Sequence, residues 1–426
     1  MPLCLSGWTV TFFACIYTRF RFNIQTMFQT FRYFLIVLIL LIIAGCYPFV
    51  KKEVKEPTNA LKKVRFFWPE FQDDMDIDSL ALAIESSLQY LNRFNDGTVL
   101  PYGPDTFTVG HIRKSLGTFL EIFKQNSDFK KLNKELRKKF LLYKAVGYRG
   151  NRKVLFTGYF EPILDGNLEP DSIYKHPIYR MPDDLLRINL GLFRPKYSGE
   201  RIMARMDGQR LIPYYTKRDI DEGRVLEGRD LEIAWLQDPL DIAILQIQGS
   251  GTVKLPSGET IRVGYSASNG HPYRSIGRYM IDKGYIAADK LSLQSIRSYI
   301  NEHPEIKAEI LNYNPSYIFF TLLESGPLGN IGVPLTPGRS LALDDRLFPK
   351  GALVYIRCQK PIIGEDGNIA GWVPFSRFLL NQDTGGVIKG TGRADIFWGS
   401  DPYAELAAGH LKHEGEIYFL VKKPDS

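Results

Sequence analysis

The sequence predicts an α+β, β-rich molecule, helices first and a β-rich body after, and three observations carry that prediction. Apolar residues recur at three- and four-residue intervals up to about residue 145. From residue 150 onward, short β-branched and aromatic runs are cut by Gly, Pro, Asn and Asp. Near the C-terminus three aspartates sit in turn-rich sequence, where a carboxylate can face a cleft. With 426 residues, 44% hydrophobic and 24% charged, the chain suits one large or two ordinary globular domains and excludes disorder as the default.

The N-terminus reads first. Arg32 precedes an unbroken apolar run over residues 34–43, and Ile43-Ala44-Gly45-Cys46 follows. The run is far shorter than the roughly 20 residues of a spanning helix, and a small-residue exit is a cleavage-site feature. The pattern resembles a bacterial lipoprotein signal peptide, which implies that Cys46 is acylated and becomes the new N-terminus; an uncut N-terminal anchor is the alternative. Residues 1–45 are then the signal region, and Met27 is the start that fits it best, since residues 1–26 place a second apolar patch ahead of a complete signal. Tyr47 stands where an aspartate would resemble the inner-membrane retention signal, so the expected location is the outer membrane, lipid-anchored, on its periplasmic face. Cys4 and Cys15 lie upstream of Cys46, which leaves Cys358 alone and excludes a disulfide, a zinc finger or a cysteine nucleophile in the mature chain. The formal charge of +7 falls to +4 once Arg19, Arg21 and Arg32 are removed, a surplus too small and scattered to name a nucleic acid.

Residues 46–70 are charged and proline-bearing and read as a lipidated tether. Residues 71–150 carry three helical patterns: Leu80, Ile84, Leu88 and Leu91 behind Asp78 as cap; Val109, Ile112, Leu116, Phe119 and Phe123 after Thr108; and Leu132, Leu136, Phe140 and Tyr143 in a basic stretch. They are expected to form a small bundle that buries one face. Strand signals follow in VLFTGYFEPIL, DIAILQIQGSG, GETIRVGYSAS, ALVYIR and GEIYFLVKK, interrupted by a helical stretch over residues 273–309 with Ile276, Tyr279, Met280, Leu291, Ile296 and Ile300 as its apolar positions.

The chemistry-bearing residues are carboxylates. Asp344 lies in SLALDDRLFPKG, Asp383 in NQDTGGVIKG and Asp395 in TGRADIFWG. Six scattered histidines give no ligand spacing, so no metal is implied. Neither a G-x-S-x-G elbow nor a P-loop nor a dinucleotide fingerprint occurs, and no cofactor is called for.

Six motifs then occur together and in order: Gly158-Tyr159-Phe160-Glu161-Pro162, the IYRMP at residues 178–182, Gln246-Ile247-Gln248-Gly249-Ser250-Gly251, Asn269-Gly270-His271-Pro272-Tyr273, Asp383-Thr384-Gly385-Gly386 and Arg393-Ala394-Asp395-Ile396. Over about residues 150–420 the chain resembles the membrane-bound lytic murein transglycosylase A family. The resemblance implies a double-psi β-barrel joined to the N-terminal helices, formed by residues 46–150 and 330–426, with a second β-domain inserted at residues 151–329 and a substrate groove between them. It implies a lipoprotein that cleaves peptidoglycan glycan strands between N-acetylmuramic acid and N-acetylglucosamine, closing the muramic acid C6 hydroxyl onto C1 to leave a 1,6-anhydro end. Partners would be the glycan strands, outer-membrane lipid through Cys46 and murein synthase complexes, without nucleic acid.

By that resemblance Asp395 is the catalytic aspartate. Ordinary glycosidases need two carboxylates about 5–10 Å apart; here the substrate brings its own nucleophile, so one carboxyl can be acid first and base afterwards. To start as an acid Asp395 must hold its proton near neutral pH, which burial against Ala394, Ile396 and Phe397 would favour. Asp383 beside its glycine turn would polarise Asp395, bind a sugar hydroxyl or cap the turn. Asp344 belongs to the family's three-aspartate pattern and is read as holding the barrel. Gln248, Ser250, Gln246 and Asn269 are expected in glycine-rich strand ends lining the groove, with Tyr159, Tyr273 and Trp398 as aromatic faces, Gln248 foremost because its neighbours are small. Asp383 or Glu161 is the second carboxylate of an alternative, a hydrolytic muramidase that admits water. A further alternative is a non-catalytic wall-binding lipoprotein akin to expansin-like barrels.

Overall fold

The structure is a computed structural model describing residues 31–32, 53–126 and 128–424. The signal region up to residue 30, the apolar run and Cys46 lie outside the described residues.

Helical spacing becomes helix where it is sustained. Ile77–Leu91 buries Leu80, Ile84 and Leu91 and is capped by Asp76, two residues before the aspartate expected, whose side chain accepts from Ser79 N at 2.7 Å. Val109–Gln125 is capped by Thr108 as predicted. The third pattern divides: Phe129–Lys139 is helical, but Phe140–Ala145 is a strand, so Phe140 and Tyr143 reach the core from a sheet. Their spacing satisfied the helical rule by coincidence: the strand buries Phe140, Leu142, Tyr143 and Ala145, on both of its faces, and so shows no clean period of two. The helices consequently cover a sheet instead of forming a bundle of their own, with Phe119 and Phe123 packed against Phe378.

The expected tether is shorter than residues 46–70. Leu61–Lys63 pairs antiparallel with Phe140–Ala145, and Ala60 and Leu61 are buried. Beyond it, Asp73 and Arg339 form an ion pair at 2.7 Å with both side chains essentially out of solvent, fastening this segment to the body. Removing one member of such a pair costs about 3–5 kcal/mol, because the other charge stays buried.

Six strands close a barrel: Val154–Tyr159, His413–Lys422, Leu353–Ile363, Ile369–Asp383, Ser340–Ala342 and Arg393–Phe397, with the last returning to pair parallel with the first. Phe140–Ala145 and Leu61–Lys63 extend the sheet from the edge of His413–Lys422. Inward residues such as Phe156, Val354, Leu379, Ala394, Ile396 and Phe419 are fully buried and fill the interior.

Between Tyr159 and Ser340 the chain builds a second β body. Its sheet runs Ile318–Leu323, Thr260–Ser268, Ser250–Lys254, Ile163–Asn167, Glu232–Leu236 and His176–Tyr179, and a bridge between Arg180 and Phe320 brings its two ends together. Two separate apolar clusters serve it, one around Val253, Val263 and Leu245, the other around Tyr214, Tyr317 and Phe319. DIAILQIQGSG is not a strand throughout: Pro239–Gln248 is a helix ended by Gly249 in the left-handed region at φ 83°, and the strand begins only at Ser250.

Candidate active site

Four adjacent barrel strands set the site. Ala342 pairs with Asp383 on one side and with Asp395 on the other, and Asp395 pairs in turn with Thr157. Directly opposed residues point to the same face of a sheet, so Asp383, Ala342, Asp395 and Thr157 form one row. The small Ala342 side chain leaves open the space between the two carboxylates. Alternation then puts Arg393 and Phe397 on the face of Asp395, and Tyr159 on the face of Thr157, while Ala394 and Ile396 go to the core.

Within that row the carboxylates have different fates. Asp383 accepts from the Tyr159 hydroxyl at 2.8 Å and from the amides of Asn330 and Thr384, both at 2.8 Å. Burial raises its pKa, and those three donors oppose the rise. Asp395 is pushed up to about 7, first by burial and then by the charge of Asp383, against the Thr157 hydroxyl and the Arg393 guanidinium. Its Oδ1 is buried without a hydrogen-bond partner, and Thr384 Oγ1, Arg393 Nε and Trp398 Nε1 share that state. Buried unpartnered polar atoms are uncommon in native folds; those of Thr384, Arg393 and Asp395 mark this rim as a place built for a polar ligand, whereas Trp398 Nε1 lies over Gly158 on the opposite face of the strand.

Asp344 stands apart. It is fully buried and bonded to Arg346 Nη2 at 2.8 Å and to the amide of Gly390 at 2.7 Å. Although burial works against its charge, the Arg346 guanidinium and the Gly390 amide hold its carboxyl below the usual range. Its position fixes the loop between Asp383 and Arg393.

The substrate residues expected from sequence separate into three groups. Tyr159 belongs to the site through Asp383. Gln248 touches its edge: the side-chain Oε1 accepts from Phe160 N at 3.0 Å, holding the chain just where it leaves the barrel. Ser250 is half-buried at the start of its strand, and Tyr273 is exposed. The remaining three are not groove residues. Asn269, 1% exposed, donates to the carbonyls of Tyr215 and Pro315 and accepts from the amides of His271 and Tyr317, which leaves no group for a sugar. Gln246 is buried on the helix, where its Oε1 accepts from Lys217 Nζ at 3.3 Å. Trp398 is enclosed by Phe375, Tyr403 and Arg377 and lies over Gly158, so neither ring face is open for stacking.

Glu161 is also buried; burial raises its pKa, and its bond to Thr252 Oγ1 at 3.4 Å turns it toward the inserted body. Sequence reading missed Thr157 and Arg393. The signal for both was alternation: each lies two residues from a residue already singled out, on the same face of its strand.

Comparison with known proteins agrees with this architecture. Residues 155–321 match the MltA specific insert domain, and residues 339–421 match the 3D domain. Over 270 residues the chain is 32% identical to the membrane-bound lytic murein transglycosylase A of Vibrio cholerae, covering 63% of this chain and 65% of that one. It is 30% identical over 274 residues to the Escherichia coli K12 protein of the same name, of which the match covers 66%. The chain thus spans slightly less than two thirds of these curated relatives. A crystal structure of membrane-bound lytic murein transglycosylase from Agrobacterium tumefaciens is similar with a TM-score of 0.67 and 27% identity, covering 85% of this chain and 98% of that one.

Proposed function

The chain belongs to the membrane-bound lytic murein transglycosylase A family, and from that premise we propose that it cleaves the β-1,4 bond between N-acetylmuramic acid and N-acetylglucosamine in peptidoglycan without water. Asp395 is the acid and then the base of this reaction. Held near pKa 7, it keeps a proton at neutral pH and gives it to the leaving glycosidic oxygen as the C1–O4 bond breaks. The resulting carboxylate takes the proton of the muramic acid C6 hydroxyl as that oxygen bonds to C1, closing the 1,6-anhydro ring. The attack is intramolecular, so its orientation is supplied by the bound sugar itself.

The observation that carries this reading is that Asp395 Oδ1 has no hydrogen-bond partner among the described residues while the other nearby carboxyls are committed. A hydrolase needs a second carboxylate to activate water or bond to C1. Asp383 is engaged by three donors, Asp344 serves the loop beside it, and Glu161 turns to Thr252. Asp383 therefore acts as a positioning residue: its negative charge keeps the proton on Asp395, and Tyr159 holds its orientation. Arg393 and Thr157 favour the ionised state that follows the first step.

Membrane association accords with the membrane-bound relatives, and acylation of Cys46 on the periplasmic face of the outer membrane is the anchoring we propose, on the sequence pattern of residues 27–46. Murein is the partner of the site; murein synthases are the proposed protein partners. The test is mass spectrometry of muropeptides released from purified peptidoglycan by the protein and by Asp395→Asn. Products lighter by one water than reducing-end muropeptides, lost in the variant, support the reading. Reducing ends would replace it with a hydrolase, and murein binding without release would replace it with a wall-binding module.

A further inference from the structure

Two highly exposed aromatics and a run of exposed cations lie together at the start of the body. Phe66 is 76% exposed and Phe67 is 100% exposed, two adjacent aromatics at the start of the body. Phe67 also has φ 58°, in the left-handed region where a bulky side chain is strained. A strained aromatic held wholly in solvent gains nothing within the fold, which points to a role outside it. Beside these rings lies a cavity of about 460 Å³. Phe140, Leu141 and Leu142 provide apolar lining, and the cations Lys63, Arg65, Arg137 and Lys423 complete it.

The helix Phe129–Lys139 continues this face. It turns Leu132 and Leu136 to the core and exposes Lys130, Lys131, Lys134, Arg137 and Lys138, with Glu135 as its one acid. Glu135 pairs with Lys139 at 3.5 Å, and those five cations make no ion pair among the described residues. Asn133 of the same helix bonds both the amide and the carbonyl of Phe71 at 2.8 Å, so the aromatic loop and the basic helix are fixed to one another.

We propose that this face docks on an anionic phospholipid surface, Phe66 and Phe67 entering the interface while the cations around the cavity and along the helix engage lipid phosphates. The chemistry is complementary on both counts: aromatic rings partition to the water–hydrocarbon boundary, and clustered Lys and Arg are attracted to anionic headgroups. Phe66 lies twenty residues beyond Cys46 in sequence, so the loop is within reach of a bilayer holding the proposed acyl chain. The contact does not depend on that acylation, and it would orient the body on the surface where an acyl anchor alone leaves it free to tumble.

The test uses the full-length chain carrying Phe67→Trp, reconstituted in phosphatidylcholine vesicles with and without phosphatidylglycerol, the parent chain supplying the background of its five tryptophans. With phosphatidylglycerol present, the added emission is expected to shift to shorter wavelength and to be quenched several-fold by lipids brominated in the acyl chain. Lys130→Glu, Lys131→Glu and Lys134→Glu together, or omission of the anionic lipid, should abolish the quenching while glycan cleavage persists. A water-like, unquenched emission in every vesicle would overturn the proposal. So would quenching that survives both charge reversal and neutral lipid, which would make the anchor its sole cause, and so would a shift produced by purified murein in place of vesicles.

Discussion

Asp395 is a carboxyl whose useful property, a proton kept at neutral pH, is produced by burial and by Asp383 beside it. Asp395→Asn preserves shape but can neither give nor take a proton, and glycan cleavage should fall by at least about 100-fold, the range of general acid–base catalysis. In the native chain kcat/KM should decline as pH rises through about 7, since the free enzyme must enter protonated. The same group acts on stability with a definite sign. Its folded pKa lies above its ordinary 3.8, so between roughly pH 4 and 7 the unfolded chain has lost the proton and the folded chain retains it. Stability therefore falls across that window and levels off above it. Asp395→Asn removes the effect, so its Tm should exceed that of the native chain at pH 8 by more than at pH 4; equal differences at the two pH values would contradict a buried acid. Asn269 gives the contrast. Its four hydrogen bonds serve only the fold, and Asn269→Ala should cost about 2–4 kcal/mol in denaturant titration, with KM for glycan unchanged in the fraction that remains folded.

Among the elements, Val154–Tyr159 and Arg393–Phe397 matter most, because their parallel register decides what stands beside Asp395. Gly158 permits it: a Cβ there would meet the Trp398 ring at 2.6 Å and the Cα of Ala408 at 2.9 Å. Gly158→Ala should cost about 1–3 kcal/mol through overpacking and, by displacing Asp395 from Thr157, should reduce cleavage beyond what unfolding explains; a variant with native kcat would show that this register is not critical. The elements also explain what was legible beforehand. Strands with sharp borders, such as Thr260–Ser268 and His413–Lys422, were readable because turn residues bracket them. Pro239–Gln248 was misread because a nearly continuous apolar run has no period to distinguish a buried helix from a buried strand, although Pro239 and the left-handed Gly249 mark its ends. For the site, motif and turn chemistry located Asp383, Asp395 and Tyr159, but Trp398 and Asn269 carry the same residue types as a sugar groove while the fold consumes both. Only burial and partner geometry separate those cases.

At the scale of the molecule, the two β bodies must keep their relation if a long glycan is to lie across both; helices of the inserted segment bury Leu240, Ala243, Ile244, Ile296 and Ile300 in the same apolar cluster as the barrel interior, and the departing chain adds hydrogen bonds. Tyr159 O accepts from Trp398 N at 2.9 Å and Glu161 N donates to Gly399 O at 2.8 Å, tying the departing chain to the barrel. Pro162 O accepts from Thr252 N at 2.9 Å, tying it to the inserted body. Between these two sets of bonds, the Phe160 amide donates to Gln248 Oε1, from the end of a helix in the inserted body. A side chain in that place adjusts the path of the crossing chain more than the stability of either body, because one hydrogen bond is small beside the apolar cluster that the inserted segment shares with the barrel and the two clusters of its own sheet. Gln248→Ala should thus lower Tm only slightly, losing about 1 kcal/mol for one hydrogen bond. Cleavage of polymeric glycan should suffer more than cleavage of a short oligosaccharide that contacts the barrel rim alone. Equal losses on both substrates would mean that Gln248 acts on the chemistry directly, and no loss on either would mean that the shared apolar cluster and the bonds at Trp398, Gly399 and Thr252 suffice to hold the two bodies in register.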